Sequence, residues 1–237
     1  MTNYTKELNQ YEDMIIEKHT RHPVLATLKD RNNTELEDIL KQRRFLSTVA
    51  FTPFYDLAID GLTDAEAKET ARWVLREEYP TGKPSHREDL LADLMELGLT
   101  KEAILTAPRT PQTEEAIKGL WDLVSYTPEK TPEEYDTKAV VALRLAGEVL
   151  VSVEYGFILP ELERRYGLKA KDSRFYWPHF MEDKKMKPIG TEGKSHADRF
   201  SVILARLVNT QEKLSLAEHS MDAALKARSS FYKQFER

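Results

Sequence analysis

The chain has 237 residues, 41% of them hydrophobic, which is enough for one large domain with a sizeable core. Its 35 Lys and Arg residues are scattered among 40 Asp and Glu residues, so no basic stripe predicts a nucleic-acid partner. The absence of cysteine excludes disulfides, iron–sulfur clusters and thiolate-ligated zinc or haem. A polar N-terminal segment and the lack of an apolar run of ~20 residues predict a cytoplasmic protein with no membrane partner.

Helix-start signals recur along the chain and strand signals are almost absent, which predicts an all-α protein with a single domain over residues 1–237. Thr34, Ser85 and Thr131 each have Glu three residues later, the pattern of a capping box. Pro111 and Pro132 suit the first position of a helix. We predict helices, in chain order, at 4–20, 23–30, 34–60, 63–79, 85–97, 100–107, 111–126, 131–166, 173–186 and 196–235, with a connector at 127–130.

A predicted break between two helices has a candidate ligand on each side. Glu78 lies at the end of a predicted helix that Pro80 and Gly82 terminate, and His86 begins the next helix. Such a break can aim both side chains at one point. The alternative is that Glu77 and Glu78 are solvated helix-end charges and that His86 lies on the surface.

Glu154 lies within the segment VLVSVEYGFILP, where its neighbours are apolar on nearly every side of the predicted helix. A buried, ionised carboxylate is costly unless it is paired or binds a cation. Either a metal ion or a partner such as Arg144 or a tyrosine hydroxyl therefore has to compensate its charge.

His179 and Asp183 are four residues apart, so a helix places them on one face. His196 follows Ser195, which is a helix-capping residue type. A helix-stabilising charge pair would also explain the spacing of His179 and Asp183. Carboxylates and imidazoles without cysteine are nevertheless the ligand types of a non-haem iron or manganese centre.

Several other sites lack support in the sequence. Pro188 stands where the first glycine of a phosphate-binding loop ending at Ser195 would be. Neither a His-Glu-x-x-His zinc motif nor the Glu-x-x-His pair of ferritin-like di-iron proteins is present. His19, His22 and His219 are interpreted as structural or solvated residues.

Four stretches together resemble the haem-oxygenase-like di-iron oxidases, which include CADD-like proteins and are close to the TenA and PqqC families. They are EKHTRHPVLATLK, REEYPTGKPSHREDLLADLMELGLT, LAGEVLVSVEYGFILPEL, and FYWPHFMED with SHADRF. The resemblance implies a helical bundle of that type. Position by position it implies the metal ligands Glu78, His86, Glu154, His179, Asp183 and a final histidine. The sequence departs from the family pattern at Met186, where that histidine is expected, so His196 is the remaining candidate and residues 184–195 would be an insertion.

The function implied by the resemblance is oxidation of a small organic substrate with O₂, using two iron ions or an Fe/Mn pair and no haem. Glu154 would bridge the two ions, and the pocket wall would contain Phe175, Tyr155, Tyr176 and Trp177. A homodimer is left open, as is the choice between Glu77 and Glu78.

Three alternatives to this function are considered. The first is a non-catalytic binding or interaction protein with a vestigial site, which Met186 and the inserted segment 184–195 favour. The second is a metal-free activity on thiamin-related pyrimidines like that of TenA, which the absence of cysteine argues against. The third is haem binding, with His19 or His22 as the axial ligand.

Overall fold

The computed structural model describes residues 3–127 and 131–237, and within these ranges the chain forms helices and no strands. Residues 128–130 of the predicted connector lie outside the described residues. The α-helices are α1 (Asn3–Thr20), α2 (Pro23–Ala26), α3 (Asn33–Phe45), α4 (Phe51–Gly61), α5 (Ala65–Glu77), α6 (His86–Glu96), α7 (Lys101–Thr106), α8 (Pro111–Val124), α9 (Pro132–Ala142), α10 (Leu150–Tyr166), α11 (Tyr176–Glu182), α12 (His196–Leu207) and α13 (Gln211–Tyr232).

The side chains that begin the helices are largely those expected from the sequence. Ser85 and Thr131 form capping boxes with the glutamates three residues later. The prediction for Thr34 is wrong, because Asn32 and Glu35 form the box and α3 begins before Thr34. Asparagine satisfies the same backbone N–H groups as threonine, so the start moves without weakening the cap.

The predicted helix 196–235 is two helices. α12 ends at Leu207, and the backbone of Val208 leaves the helical region with ψ of 81°. The Thr210 side chain then accepts a hydrogen bond from the backbone N–H of Lys213 and begins α13. The apolar pattern predicted a single helix because both helices bury apolar faces on the same core.

Two π-helical segments interrupt what the sequence predicts as continuous α-helices. Leu46–Ala50 joins α3 to α4, and Leu143–Val149 joins α9 to α10. A π-helical turn contains an extra residue, which changes the direction of the side chains that follow, and such turns are frequent at functional sites. All seven residues of Leu143–Val149 are buried.

The segment from α9 through α10 is the centre of the molecule. It packs against α1, α11, α12 and α13, and its buried apolar residues belong to one continuous hydrophobic core. Among the described residues, no helix has the length and apolar character needed to cross a membrane. Glu148 lies within this central segment.

Candidate metal centre

The first group of candidate ligands lies at the break between α5 and α6. Glu78 follows the last residue of α5, and His86 is the first residue of α6. The backbone N–H of His86 donates to the Glu78 carbonyl oxygen at 3.2 Å, which closes the bend. The His86 side chain also donates from Nδ1 to Glu78 Oε1 at 2.9 Å. The break thus holds the two side chains together.

His179 from α11 completes this group. Its ring centroid lies 4.6 Å from that of His86, and Glu78, His86 and His179 each place a ligand atom within 4.8 Å of the others. His179 Nδ1 donates to the Phe175 carbonyl oxygen at 2.7 Å, which leaves the lone pair on Nε2. Burial and the neighbouring His86 lower the pKa of His179 to about 3. The result is an oriented, neutral imidazole of the kind that binds a metal ion.

The second group joins three buried residues from different elements. Glu148 comes from the π-helical segment, Asp183 follows α11, and His196 begins α12. His196 Nδ1 donates to Glu148 Oε2 at 3.2 Å and lies 3.2 Å from Asp183 Oδ1. Ligand atoms of all three residues lie within 4.8 Å of one another.

The charges of this second group suit a cation. Burial and the adjacent Glu148 carboxylate raise the pKa of Asp183 well above its usual range. Burial acts against the charge of His196, but the carboxylates of Asp183, Glu148 and Glu77 raise its pKa. Asp183 Oδ1 is buried and receives no hydrogen bond. Two buried carboxylates therefore share one imidazole, and a metal ion would replace the protons that balance the charge of this group.

Glu77 and Glu78 occupy different positions. Glu78 is buried and belongs to the first group, whereas Glu77 is half-exposed and accepts a hydrogen bond from His196 Nε2 at 2.8 Å. Glu77, Glu182 and His196 form a third, more exposed set of potential ligands. The carboxylate nearest the interior is thus Glu78, and Glu77 contacts His196 from the solvent side.

The position of Glu148 depends on close packing between the π-helical segment and α4. The hydroxyl of Tyr55 donates to Glu148 Oε1. A Cβ atom on Gly147 would lie 3.3 Å from both Phe54 and Tyr55, so glycine permits this approach. Glu148 is not among the ligands expected from the sequence, although it too lies in an apolar run, LAGEVLV.

Glu154 is placed differently from the expectation. It is 0% exposed, and its carboxylate pairs with Arg43 at 2.7 Å, with Arg228 at 2.5 Å and with His19 Nε2 at 3.2 Å. These two arginines lower the pKa of Glu154 despite its burial. The carboxylate is already compensated, and it lies in none of the three groups of potential metal ligands found among the described residues. The alternative partner considered, Arg144, instead pairs with Glu12.

The segment between Asp183 and His196 returns the histidine to the interior. Asp198 Oδ1 accepts hydrogen bonds from the backbone N–H groups of Met186 and Lys187 at 3.1 and 3.0 Å. Ile189 is buried in the core. Met186 is 54% exposed, whereas His196 is buried. The segment therefore places His196 beside Glu148 and Asp183.

The remaining histidines lie away from these groups. His19 pairs with Glu154, and His22 Nδ1 accepts a hydrogen bond from the backbone N–H of Val24 at 3.3 Å. His219 donates to the Ser215 carbonyl oxygen within α13. All three have structural contacts of the kind predicted.

A narrow internal cavity adjoins the two groups. Glu78, His179 and Asp183 line it together with Tyr155 and Phe175. Two other residues expected in the wall do not line it: the Tyr176 ring centroid lies 5.3 Å from that of Tyr155, and the Trp177 ring centroid lies 5.8 Å from that of Phe180. Both candidate metal groups thus reach one largely apolar space.

This geometry defines an all-α protein with buried carboxylate and imidazole groups that could hold a metal ion. No protein-family profile and no curated protein matches the sequence. Solved structures do match the fold. A CADD-like protein of unknown function from Nostoc punctiforme aligns with a TM-score of 0.71 and 16% identity, covering 98% of this chain and 94% of that one.

Two further solved structures match the fold of this chain. A domain of unknown function with a haem oxygenase-like fold from Shewanella denitrificans has a TM-score of 0.67 and 19% identity, covering 99% of this chain and 94% of that one. A TenA family transcription regulator from Silicibacter has a TM-score of 0.63 and 11% identity, covering 98% and 96%. The chain therefore has the haem oxygenase-like fold, as the sequence resemblance implies.

Proposed function

We propose that the protein is a non-haem di-iron, or Fe/Mn, oxidase that uses O₂ to oxidise a small organic substrate. The observation that carries the proposal is the pair of neighbouring groups beside one cavity. Glu78, His86 and His179 would hold one ion, and Glu148, Asp183 and His196 would hold the other. The chemistry supplied by such ions, when bound, is the reduction of O₂ coupled to oxidation of a nearby substrate bond.

Glu148 takes the central-helix position that the resemblance gave to Glu154. It is the carboxylate of that helix whose ligand atoms approach a second acid and an imidazole, whereas Glu154 is neutralised by arginines. Oxygen and nitrogen donors without sulfur fit iron and manganese better than softer ions.

The chain's own residues would prepare the site in two ways. His179 is held by the Phe175 carbonyl with its Nε2 lone pair available. His196 donates from both ring nitrogens to carboxylates, so it has to release a proton before either nitrogen can bind a cation. Glu77, the half-exposed acceptor at Nε2, would receive that proton and pass it to solvent.

Metal analysis after anaerobic loading with Fe²⁺ tests this proposal. We expect up to two ions per chain in the parent protein and a loss of metal in His179→Ala and Glu148→Ala. Glu154→Gln is the matched control from the same central helix and should keep its metal. The iron-loaded protein should also consume O₂ and give a transient visible absorption. Unchanged iron content in both alanine variants would contradict the site assignment.

A second candidate function has its own support. His86 pairs with Glu78, and His196 pairs with Glu148 and Glu77, so protein contacts alone satisfy much of the centre. This favours a non-catalytic haem-oxygenase-like protein with a vestigial site. Failure of the folded parent protein to retain Fe²⁺ or Mn²⁺ through gel filtration would support this candidate over the oxidase.

A further inference from the structure

The cavity beside the candidate metal centre also reaches two buried arginines. Arg43 and Arg228 line the same space as Glu78, His179 and Asp183. Arg43 is 2% exposed and Arg228 is 3% exposed, so bulk water solvates neither guanidinium group. The cavity is therefore electrically asymmetric, with acids and imidazoles in one part and guanidinium groups in another.

The arginines carry more charge than their protein partners neutralise. Arg228 donates from Nε and Nη2 to the two oxygens of Glu154 at 3.0 and 2.5 Å, and Arg43 Nε lies 2.7 Å from the same carboxylate. Two guanidinium groups thus share one carboxylate, which leaves an excess of one positive charge. Arg43 Nη1 donates to the Ser47 hydroxyl at 2.8 Å, but its Nη2 is buried and has no hydrogen-bond partner.

One aromatic ring separates this excess charge from the candidate metal centre. The Arg43 guanidinium carbon lies 4.7 Å from the Tyr155 ring centroid, and the same ring lies 6.3 Å from the His179 ring centroid. A molecule of a few carbon atoms would be long enough to contact both. The wall between them is mostly apolar and includes the side chains of Leu46, Ala50, Phe51, Phe54, Leu120 and Val151.

We propose that Arg43 binds the carboxylate of a small monocarboxylic acid whose apolar body extends along this cavity towards Glu78, His179 and Asp183. The inference names a substrate class for the proposed oxidase and so rests on that function. A monoanion matches the single excess charge, whereas a phosphate monoester would bring a second negative charge close to Glu154. The planar guanidinium group also suits a carboxylate, and its free Nη2 supplies a hydrogen bond.

Ligand entry requires the wall to move. The space open to water is about 30 Å³, which holds one or two water molecules. Leu46 and Ala50 in the wall belong to a π-helical segment, whose hydrogen bonding departs from the α-helical pattern. We therefore place the movement in Leu46–Ala50 and the adjoining start of α4.

Binding to the metal-free protein tests the anion site separately from the metal centre. The probes are hexanoate, the neutral isostere hexanamide and the dianion hexylphosphonate, measured by calorimetry and thermal denaturation in the presence of EDTA. We expect hexanoate to bind and to raise the melting temperature, and hexanamide to do neither. Equal binding of hexanamide, no binding of hexanoate, or tighter binding of hexylphosphonate would overturn the proposal.

Two substitutions should change binding in opposite directions. Arg43→Gln removes the unpartnered donor and should weaken hexanoate binding by about tenfold or more, the loss of one charge-assisted hydrogen bond. Glu154→Gln removes the competing carboxylate, so hexanoate should stabilise this variant more than the parent protein. The exposed Arg72→Gln is the control and should bind as the parent does. Binding retained by Arg43→Gln would contradict the proposal.

The orientation is tested with Mn²⁺ as a paramagnetic probe. In Mn²⁺-loaded protein, the methyl protons of hexanoate should relax faster than those next to its carboxylate. The opposite order would show that the carboxylate binds the metal, which contradicts the Arg43 assignment. If the protein binds hexanoate but no Mn²⁺, the proposed oxidase function fails while the anion site stands on the EDTA experiments.

Discussion

Replacing Glu154 should destabilise the protein far more than replacing Glu148, although both are buried carboxylates in the central helical segment. Glu154 is the single shared counterion of Arg43 and Arg228. Glu154→Gln keeps the side-chain shape but leaves two buried guanidinium groups without that charge. Removing one partner of a buried ion pair costs about 3–5 kcal/mol. For a chain of this size we expect a fall in melting temperature of about 6–20 °C.

Glu148→Gln changes a site where negative charges already repel. Its carboxylate contributes to the raised pKa of Asp183, so its removal relieves that repulsion while losing the hydrogen bonds from Tyr55 and His196. These effects oppose each other, and we expect a net loss of about 1 kcal/mol in metal-free protein.

Urea unfolding in EDTA, followed by circular dichroism, measures both variants under the same conditions. The free energy of unfolding should fall at least twice as far in Glu154→Gln as in Glu148→Gln. Equal losses, or a loss below about 1 kcal/mol for Glu154→Gln, would refute the assignment of Glu154 to structure and Glu148 to the site.

Three further outcomes follow from the geometry. Met186→His should leave metal content unchanged, because position 186 is exposed, whereas His196→Ala should lower it; recovery of metal in the double variant would show that position 186 can reach the site. In metal-free protein, His179 favours the folded state above pH about 6.5, and this contribution is lost as the pH falls towards its folded pKa of about 3. The unfolding free energy of His179→Gln should therefore depend less steeply on pH in this window, by up to about 1.4 kcal/mol per pH unit, and parallel curves would contradict the lowered pKa. Gly147→Ala should cost about 1–3 kcal/mol in thermal or urea unfolding, because its methyl group would press on Phe54 and Tyr55, and a neutral effect would show that these rings move freely.

Much of the fold could be predicted because its signals are local. The capping residues Ser85 and Thr131 and the first-turn prolines Pro111 and Pro132 each satisfy backbone groups within one turn of their own helix. The break at Val208 could not be read in the same way, since the apolar pattern continues across it.

The candidate site was harder to predict where the backbone departs from the α-helix. Glu148 and Glu154 lie in the same apolar stretch, and both look equally in need of a partner. The π-helical turn at Leu143–Val149 alters which side chains face α11 and α12, and the helical period does not reveal it. The partners of Glu154 are Arg43 and Arg228, which are distant in sequence, so no local pattern could indicate that its charge is compensated.

Anomalous diffraction from crystals of the Mn²⁺- or Fe²⁺-loaded protein tests the central claim most directly. We expect two neighbouring peaks, one bound by Glu78, His86 and His179 and the other by Glu148, Asp183 and His196. Glu154 should remain paired with Arg43 and Arg228. A peak at Glu154, or no peak in a protein crystallised with excess metal, would contradict it.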